Sequence, residues 1–525
     1  MSRELDRSDN QTARREEPLP PHPSPQRGEG RNGWLWSYLA ERVGLDAVVA
    51  LGVKKRVPIH SSTLFYFLGG MALFLFVLQV VTGGLLSLYY KPSPDQAFES
   101  VQAIMTEVKF GWLIRSVHSW GANLLIGVLF LHVLTTYMMR AYRRPREFTW
   151  ITGILLLGLF MALGFSGYLL PWNELSFFAT RVGTALAGKV PVVGDELLLV
   201  ARGGENVTGD TLSRFYALHV AIFPLVALAL MGFHLYLVQK HGMSTPERLP
   251  RGLGWYYGLP VLAALAAVCP FCFANGLTIL GFSLWRLLLV AAALLVVWLY
   301  LGQQPKSAAS RAATRAGAPK EDGPSMPFLP HFLLRDAVGW YLALGILAAL
   351  AALFPWKLGD KANPFSPAPE GIQPEWYFLF MFQFLKQLPG HVYGEWLEGE
   401  TAGVFFFGFV GLVVILVPFL DWGDRSRRLL NVLAAPAVVF FIVMTAWGWF
   451  PDEPHLSVIL GTSLLLGMLS LAVPFVQRGE HARVGLWILM ALGVLFLLGV
   501  IADSRWGLGM GRWWTERLAL WLGPR

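Results

Sequence analysis

Residues 118–132 read "HSWGANLLIGVLFLH" and residues 219–234 read "HVAIFPLVALALMGFH": two apolar stretches, each opened and closed by histidine. Neither holds a charged residue, and both belong to longer runs that cover about 20 apolar positions, the length that crosses roughly 30 Å of hydrocarbon as a helix. A buried polar side chain in lipid is costly and marks function. One membrane histidine is explained by an interhelical hydrogen bond; two matched pairs are harder to explain that way. The pairs are 14 and 15 residues apart, about 21 and 22 Å along a helix axis. Those separations return to within about 40° and 60° of the starting direction. Each helix thus offers two imidazoles on nearly one face, at two depths.

Two such helices side by side would bracket two planar metallocofactors. Imidazole on both axial positions of a haem iron leaves no site for oxygen or substrate and so implies electron transfer. Zinc is the competing metal, but two ligands at each level are too few for it. Glycines recur at the same 14-residue interval in the flanking runs, Gly69–Gly70 with Gly83–Gly84, and Gly153 with Gly167. Small residues also serve plain helix packing. Recurring at the histidine period, they are read as room for two flat rings against the backbone.

The rest of the chain fits a polytopic membrane protein. Of 525 residues, 55% are hydrophobic and 14% charged, about half the charge of an ordinary soluble protein, and the mean hydropathy is +0.50. Eleven transmembrane helices are expected, near 65–90, 117–139, 151–170, 215–238, 258–275, 282–302, 337–354, 402–420, 430–449, 456–476 and 484–502. The fold class is all-α. The net charge of +8 comes from short basic loops, the pattern of membrane topology and not of nucleic-acid binding. It puts the 54–56, 140–146, 306–320 and 425–428 segments, and the N-terminus, on the cytoplasmic side.

Residues 1–31 read as a disordered tail, 32–57 as an interfacial amphipathic helix and 303–326 as a flexible linker. The domain boundaries expected are 32–250, 251–302 (an inserted hairpin), 327–450 and 451–525. Cys269 and Cys272 (in "CPFC") are assigned a structural role. Two long connections, 171–214 and 355–401, share the opposite side; the second holds "PEWY" (374–377), whose Glu375 sits at the edge of an apolar run.

"FGWLIRSVHSWGANLLIGVLFLH" (110–132), "GYLLPWNELSFFATRV" (167–182), "TLSRFYALH" (211–219), "LPHFLLRD" (329–336) and "NPFSPAPEGIQPEWYF" (363–378) together resemble cytochrome b of the Rieske/cytochrome b complexes. The likeness runs from about 32 to 450; the 15-residue histidine spacing and "EVKFGWLIRSVH" (107–118) resemble the chloroplast-type split form, here with cytochrome b and subunit IV fused.

The resemblance implies a quinol:cytochrome c (or equivalent acceptor) oxidoreductase with a dihaem four-helix bundle. His118 and His219 would hold a low-potential outer haem, and His132 and His234 a high-potential inner one. Arg115 would meet a propionate, and Gly70, Gly84, Gly153 and Gly167 would line the haems. Trp172, Pro374, Glu375, Trp376 and Tyr377 would form the outer quinol site, with Glu375 and Tyr377 catalytic and Glu375 carrying the proton out. His331, Arg335 and Asp336 would form the inner quinone site.

The implied partners are a Rieske iron–sulfur protein, a c-type cytochrome, quinone and a second copy of the chain, in a bacterial cytoplasmic membrane. The family's chloroplast-type cysteine is replaced by Phe67 and an arginine by Gln239, so two non-covalent b-type haems are expected and no covalent third. A dihaem anchor of a dehydrogenase or hydrogenase is the alternative reading, and a transporter with structural histidines a third.

Overall fold

The computed structural model describes residues 45–59, 63–244, 325–388 and 398–421, with scattered positions outside those stretches. It divides into two units, Met1–Lys55 and Arg56–Arg525. In the first, α1 (Leu45–Lys54) lies within the helix expected over 32–57 and stops short of its expected end because Arg56 and Val57 are in a strand, and the Arg42 guanidinium lies 4.2 Å from the Tyr38 ring centre.

In the second unit, α2 (Phe67–Ser87), α4 (Gly111–Met138), α5 (Glu147–Tyr168) and α8 (Gly209–His241) are long and apolar enough to cross a membrane. So are α9 (Leu333–Leu353, with a π-helical start at Phe328–Phe332) and α11 (Gly399–Leu420). These six coincide with six of the eleven spans expected. The spans at 258–275, 456–476 and 484–502 lie outside the described residues, as do 284–302 and Cys269 and Cys272; within 430–449 the scattered described positions are helical. Phe282–Ser283 (β3) pairs instead with Thr278–Ile279 (β2) in a short ribbon. Ser325–Pro327 (β4), at the end of the expected linker, pairs antiparallel with Arg56–Pro58 (β1).

α2 packs on α4, and α8 packs on α5. Each pair therefore joins a glycine-bearing helix to a histidine-bearing one. α4 also meets α5, whereas α4 and α8 are not closely packed on each other. α9 lies on α4 and α2, and α11 on α5. At mid-height the bundle closes around Phe76, Leu125, Phe160 and Ala227, all buried. The Phe76 and Phe160 rings meet edge to face at 5.1 Å. These four positions fall midway between the paired glycines or histidines of their helices, so a dry layer separates an upper level from a lower one.

Helices α3 (Ala97–Thr106), α6 (Glu174–Gly188) and α7 (Gly194–Arg202) form a layer at one end of the bundle. Asn173 caps α6 by accepting a hydrogen bond from the Ser176 amide at 2.9 Å, which satisfies a donor that the first helical turn cannot. Its amide group also donates to the Leu358 carbonyl at 2.5 Å. The Glu174 amide donates to Asp360, and the Ala362 amide donates to Trp172. The two long connections are thereby joined, and the second leads to α10 (Trp376–Gln387), whose N-cap is Glu375.

Candidate functional site

The four histidines meet in two pairs. The ring centres of His118 and His219 are 6.2 Å apart and nearly perpendicular, at 83°; His132 and His234 are close enough to interact electrostatically. The pairing depends on a defect in α8. His219 lies in a π-helical turn, Leu218–Ile222, where the Phe223 amide donates five residues back to Leu218. Pro224 follows and has no amide to donate to the carbonyl four residues before it, which loosens the ladder there. The wide turn takes up one extra residue. A 15-residue interval in α8 thus matches the 14-residue interval in α4.

The network around the rings assigns their tautomer. Thr82 donates its hydroxyl to the Leu78 carbonyl at 2.7 Å, so its oxygen accepts from His118 Nδ1 at 2.9 Å. Thr152 donates to Phe148 at 2.8 Å and accepts from His234 Nδ1 at 2.9 Å. His219 Nδ1 donates to the Leu163 carbonyl at 3.0 Å, with the Ser166 hydroxyl at 3.3 Å. In these three rings the proton sits on Nδ1 and Nε2 keeps the lone pair a metal requires. His132 Nδ1 has no hydrogen-bond partner among the described residues.

The glycines bring the rings against backbone. A Cβ built on Gly69, Gly83 or Gly153 would stand 3.2, 3.1 or 3.2 Å from Cε1 of His132, His118 or His234, and one on Gly167 would overlap His219. Gly70 and Gly84, expected from the resemblance to line the haems, do not meet a histidine ring: Gly70 abuts the Asp336 carboxylate and Gly84 has nothing within 4 Å. Successive helical residues point about 100° apart, so one glycine of each pair can face α4. The glycines accommodate the histidine rings directly.

This donor set fits b-type haem. Two imidazole nitrogens about 2 Å from a shared metal, each about 1.1 Å from its own ring centre, put the centres about 6.2 Å apart, the separation of His118 and His219. All four imidazoles lie deep in the bundle yet keep accessible surface. Groups of three or more His, Cys, Asp or Glu that could hold a metal ion do not occur among the described residues.

A model of the family described as cytochrome b/b6/petB matches residues 53–242, and one described as cytochrome b (C-terminal)/b6/petD matches 361–469. The cytochrome bc complex cytochrome b subunit of Chlorobaculum thiosulfatiphilum is 36% identical over 428 residues, covering 81% of this chain and 83% of that protein. This chain belongs to the cytochrome b/b6 family. Cytochrome b6 of Heliobacterium mobile is 45% identical over 211 residues, 40% of this chain and 99% of that one. A structure described as a hyperthermophilic respiratory Complex III matches with a TM-score of 0.59 and 27% identity, over 83% of this chain and 98% of that chain. The chain is thus the cytochrome b of a bc-type complex, a multi-pass membrane protein of an oxidoreductase family that moves electrons across the membrane on b-type haem.

Within this cytochrome b fold, the N-terminal end of α4 is stitched to the loop that carries PEWY. Buried Arg115 donates to the Trp356 carbonyl at 2.6 Å and the Lys357 carbonyl at 3.4 Å. Ser116 accepts from the Trp356 amide, and the Trp120 indole donates to Phe354. No carboxylate among the described residues pairs with Arg115. A buried guanidinium bonded only to neutral partners suits an acidic group such as a propionate. Trp376 donates its indole N–H to Asn123 Oδ1 at 2.8 Å and lies on α4 beside Gly127. Tyr377 is buried against α5, its hydroxyl where a Cβ on Gly164 would be.

Glu375 is in electrostatic range of both Tyr168 and Tyr377, and burial pushes its carboxyl up to about 7. The same surroundings raise the Tyr377 phenol. Trp172 is buried in the loop layer with Leu169, Phe177, Phe178 and Ala362, away from solvent, and holds a positive φ of 52°. Pro374 precedes Glu375 and is partly buried.

Of the residues read as an inner quinone site, His331 and Arg335 are exposed at the start of α9 while Asp336 is buried against α2. Gly69 and Gly70 place His132 on one side and Asp336 on the other. The Phe67 ring stacks on Phe332 at 4.9 Å.

Missed in the sequence were Thr82, Thr152 and Ser166, which orient the imidazoles. The signal was there: each is a hydroxyl residue directly before a glycine of the 14-residue repeat.

Proposed function

We propose that this chain is the dihaem subunit of a quinol:cytochrome c, or equivalent acceptor, oxidoreductase that couples electron transfer to proton translocation. The observation that carries the reading is the pair of opposed imidazole sets, with Nε2 left to a metal in His118, His219 and His234 by the bonds to Nδ1. His118 and His219 hold the outer haem and His132 and His234 the inner one, with Gly69, Gly83, Gly153 and Gly167 admitting the ligating rings. When bound, the two haems supply a one-electron path between the two sides of the membrane. Arg115 neutralises a propionate at the outer level. Phe67 has no thiol for a thioether, which supports two non-covalent haems and no third.

Trp376 and Tyr377, fixed on α4 and α5, wall the outer quinol site together with Pro374 and the Trp172 loop, and they exclude water from the reacting hydroxyls. Glu375 accepts a quinol proton and releases it outward, a task suited to a carboxyl that titrates near neutrality. At the opposite end Asp336, with His331 and Arg335, delivers protons to quinone. Moving one charge against 100 mV costs about 2.3 kcal/mol, so the inner haem must lie higher in potential. A Rieske protein takes the other electron and a c-type cytochrome or its equivalent receives it. The complex is a homodimer in a bacterial cytoplasmic membrane with the basic loops and N-terminus inside.

Residues 32–250 form the haem domain, 251–302 an inserted hairpin, 303–326 a linker, 327–450 the quinol-site domain and 451–525 an added segment. A dehydrogenase anchor would leave the seating of PEWY on α4 unexplained. The test is the purified complex titrated optically and with an outer-site inhibitor of the stigmatellin type. Two b-type α-bands per chain and inhibited quinol oxidation are expected; a single haem per chain, or turnover indifferent to the inhibitor, would sink the reading.

A further inference from the structure

We propose that the unequal number of hydrogen bonds on imidazole Nδ1 sets the two haem potentials apart, and that Leu68 is the positioning residue that withholds one. The inference rests on the dihaem reading above. In the outer pair both rings have acceptors on Nδ1: Thr82 Oγ1 at 2.9 Å on His118, and the Leu163 carbonyl at 3.0 Å with Ser166 Oγ at 3.3 Å on His219. In the inner pair His234 has Thr152 Oγ1 at 2.9 Å, while buried His132 Nδ1 has none among the described residues.

The difference is written in the glycine repeat. Thr82 precedes Gly83, Thr152 precedes Gly153 and Ser166 precedes Gly167, and each glycine seats the imidazole that its neighbour bonds. Leu68 precedes Gly69, which seats His132 in nearly the geometry by which Gly83 seats His118: the nearest ring atom to a built Cβ is Cε1 in both, at 3.2 and 3.1 Å. Leu68 thus takes, one 14-residue repeat earlier on α2, the register position of Thr82. It offers methyl groups where the other three positions offer a hydroxyl.

An acceptor on Nδ1–H makes the imidazole a stronger donor through Nε2 and favours the ferric ion. Two fully bonded ligands at the outer level therefore lower that potential, and one unbonded ligand at the inner level leaves that potential higher. The sign is the one that outer-to-inner electron flow against the membrane field requires.

The test is a potentiometric titration of the intact complex, with the two haems followed separately by α-band and by EPR, in Leu68→Thr, Thr82→Val and Thr82→Ser. Leu68→Thr is expected to shift the inner midpoint down and leave the outer one in place. Thr82→Val should shift the outer midpoint up alone, and Thr82→Ser should leave both unchanged. A tenfold change in one reduction equilibrium would read as about 59 mV. Packing damage would not give opposite shifts confined to one haem each. If Leu68→Thr fails to assemble, the Thr82 pair decides alone. Midpoints that stay fixed, or move together, with both α-bands intact would overturn the inference while sparing the dihaem reading. A wild-type preparation with fewer than two haems would overturn both.

Discussion

Replacing Glu375 by glutamine removes a proton acceptor while keeping size and polarity. In the wild type, burial holds this carboxyl near 7, against an ordinary 4.5. A group titrating at 7 is about 9% ionised at pH 6 and about 91% at pH 8. Only the ionised form accepts a proton, so wild-type quinol oxidation should rise about tenfold across that interval. A carboxyl at its ordinary value would already be about 97% ionised at pH 6 and would give a flat profile. Glu375→Gln should turn over slowly at every pH and lose the rise, with both haem spectra intact.

Stability carries a matching signature. Between about 4.5 and 7 the folded chain holds a proton that the unfolded chain has released, so stability falls as pH rises through this window. The variant should lose that portion of the fall. The assay is steady-state quinol oxidation from pH 5.5 to 8.5 with a saturating electron acceptor. A variant that keeps the full pH dependence would refute the proton-acceptor role.

Gly167→Ala should displace His219, which a Cβ there would overlap, and remove about half of the haem absorbance per chain, at an overpacking cost of about 1–3 kcal/mol. Asn123→Leu leaves the Trp376 indole without its acceptor; a loss of about 1–3 kcal/mol should appear in thermal denaturation, with weaker binding of outer-site inhibitors. Asp421, 1% exposed, is bonded by Arg143 at 2.9 Å and by the Tyr142 hydroxyl at 3.2 Å. Asp421→Asn should destabilise the α4–α5 connection by about 3 kcal/mol, lowering the denaturation temperature while the haem bands stay in place.

The pairing of the four histidines at two levels was legible because histidine is expensive in lipid and its spacing can be converted to depth and direction. The choice between Gly69 and Gly70, or Gly83 and Gly84, was not, since it depends on the rotation of α2 about its own axis, which packing against α4 and α9 decides. Glu375 was legible as an acid beside an apolar run. Its company of Tyr168 and Tyr377 was not, because that cluster joins residues some 200 apart in sequence. The clamp of Arg115, Ser116 and Trp120 on residues 354–357 was likewise hidden, because it runs to backbone groups, which carry no sequence mark. His331, Arg335 and Asp336 were readable as a motif, but their split into two exposed side chains and one buried carboxylate follows from how α9 lies on α2.

The wide turn at Leu218–Ile222 bears on how such helices are compared. Two rods that must meet at two heights need equal reach, yet their residue counts differ by one when one rod stores slack in a loosened coil. A search that demands identical intervals between ligands would pass over this bundle. What has to agree is where the rings arrive, and a proline placed just past the first ligand is the written sign that the count has been relaxed.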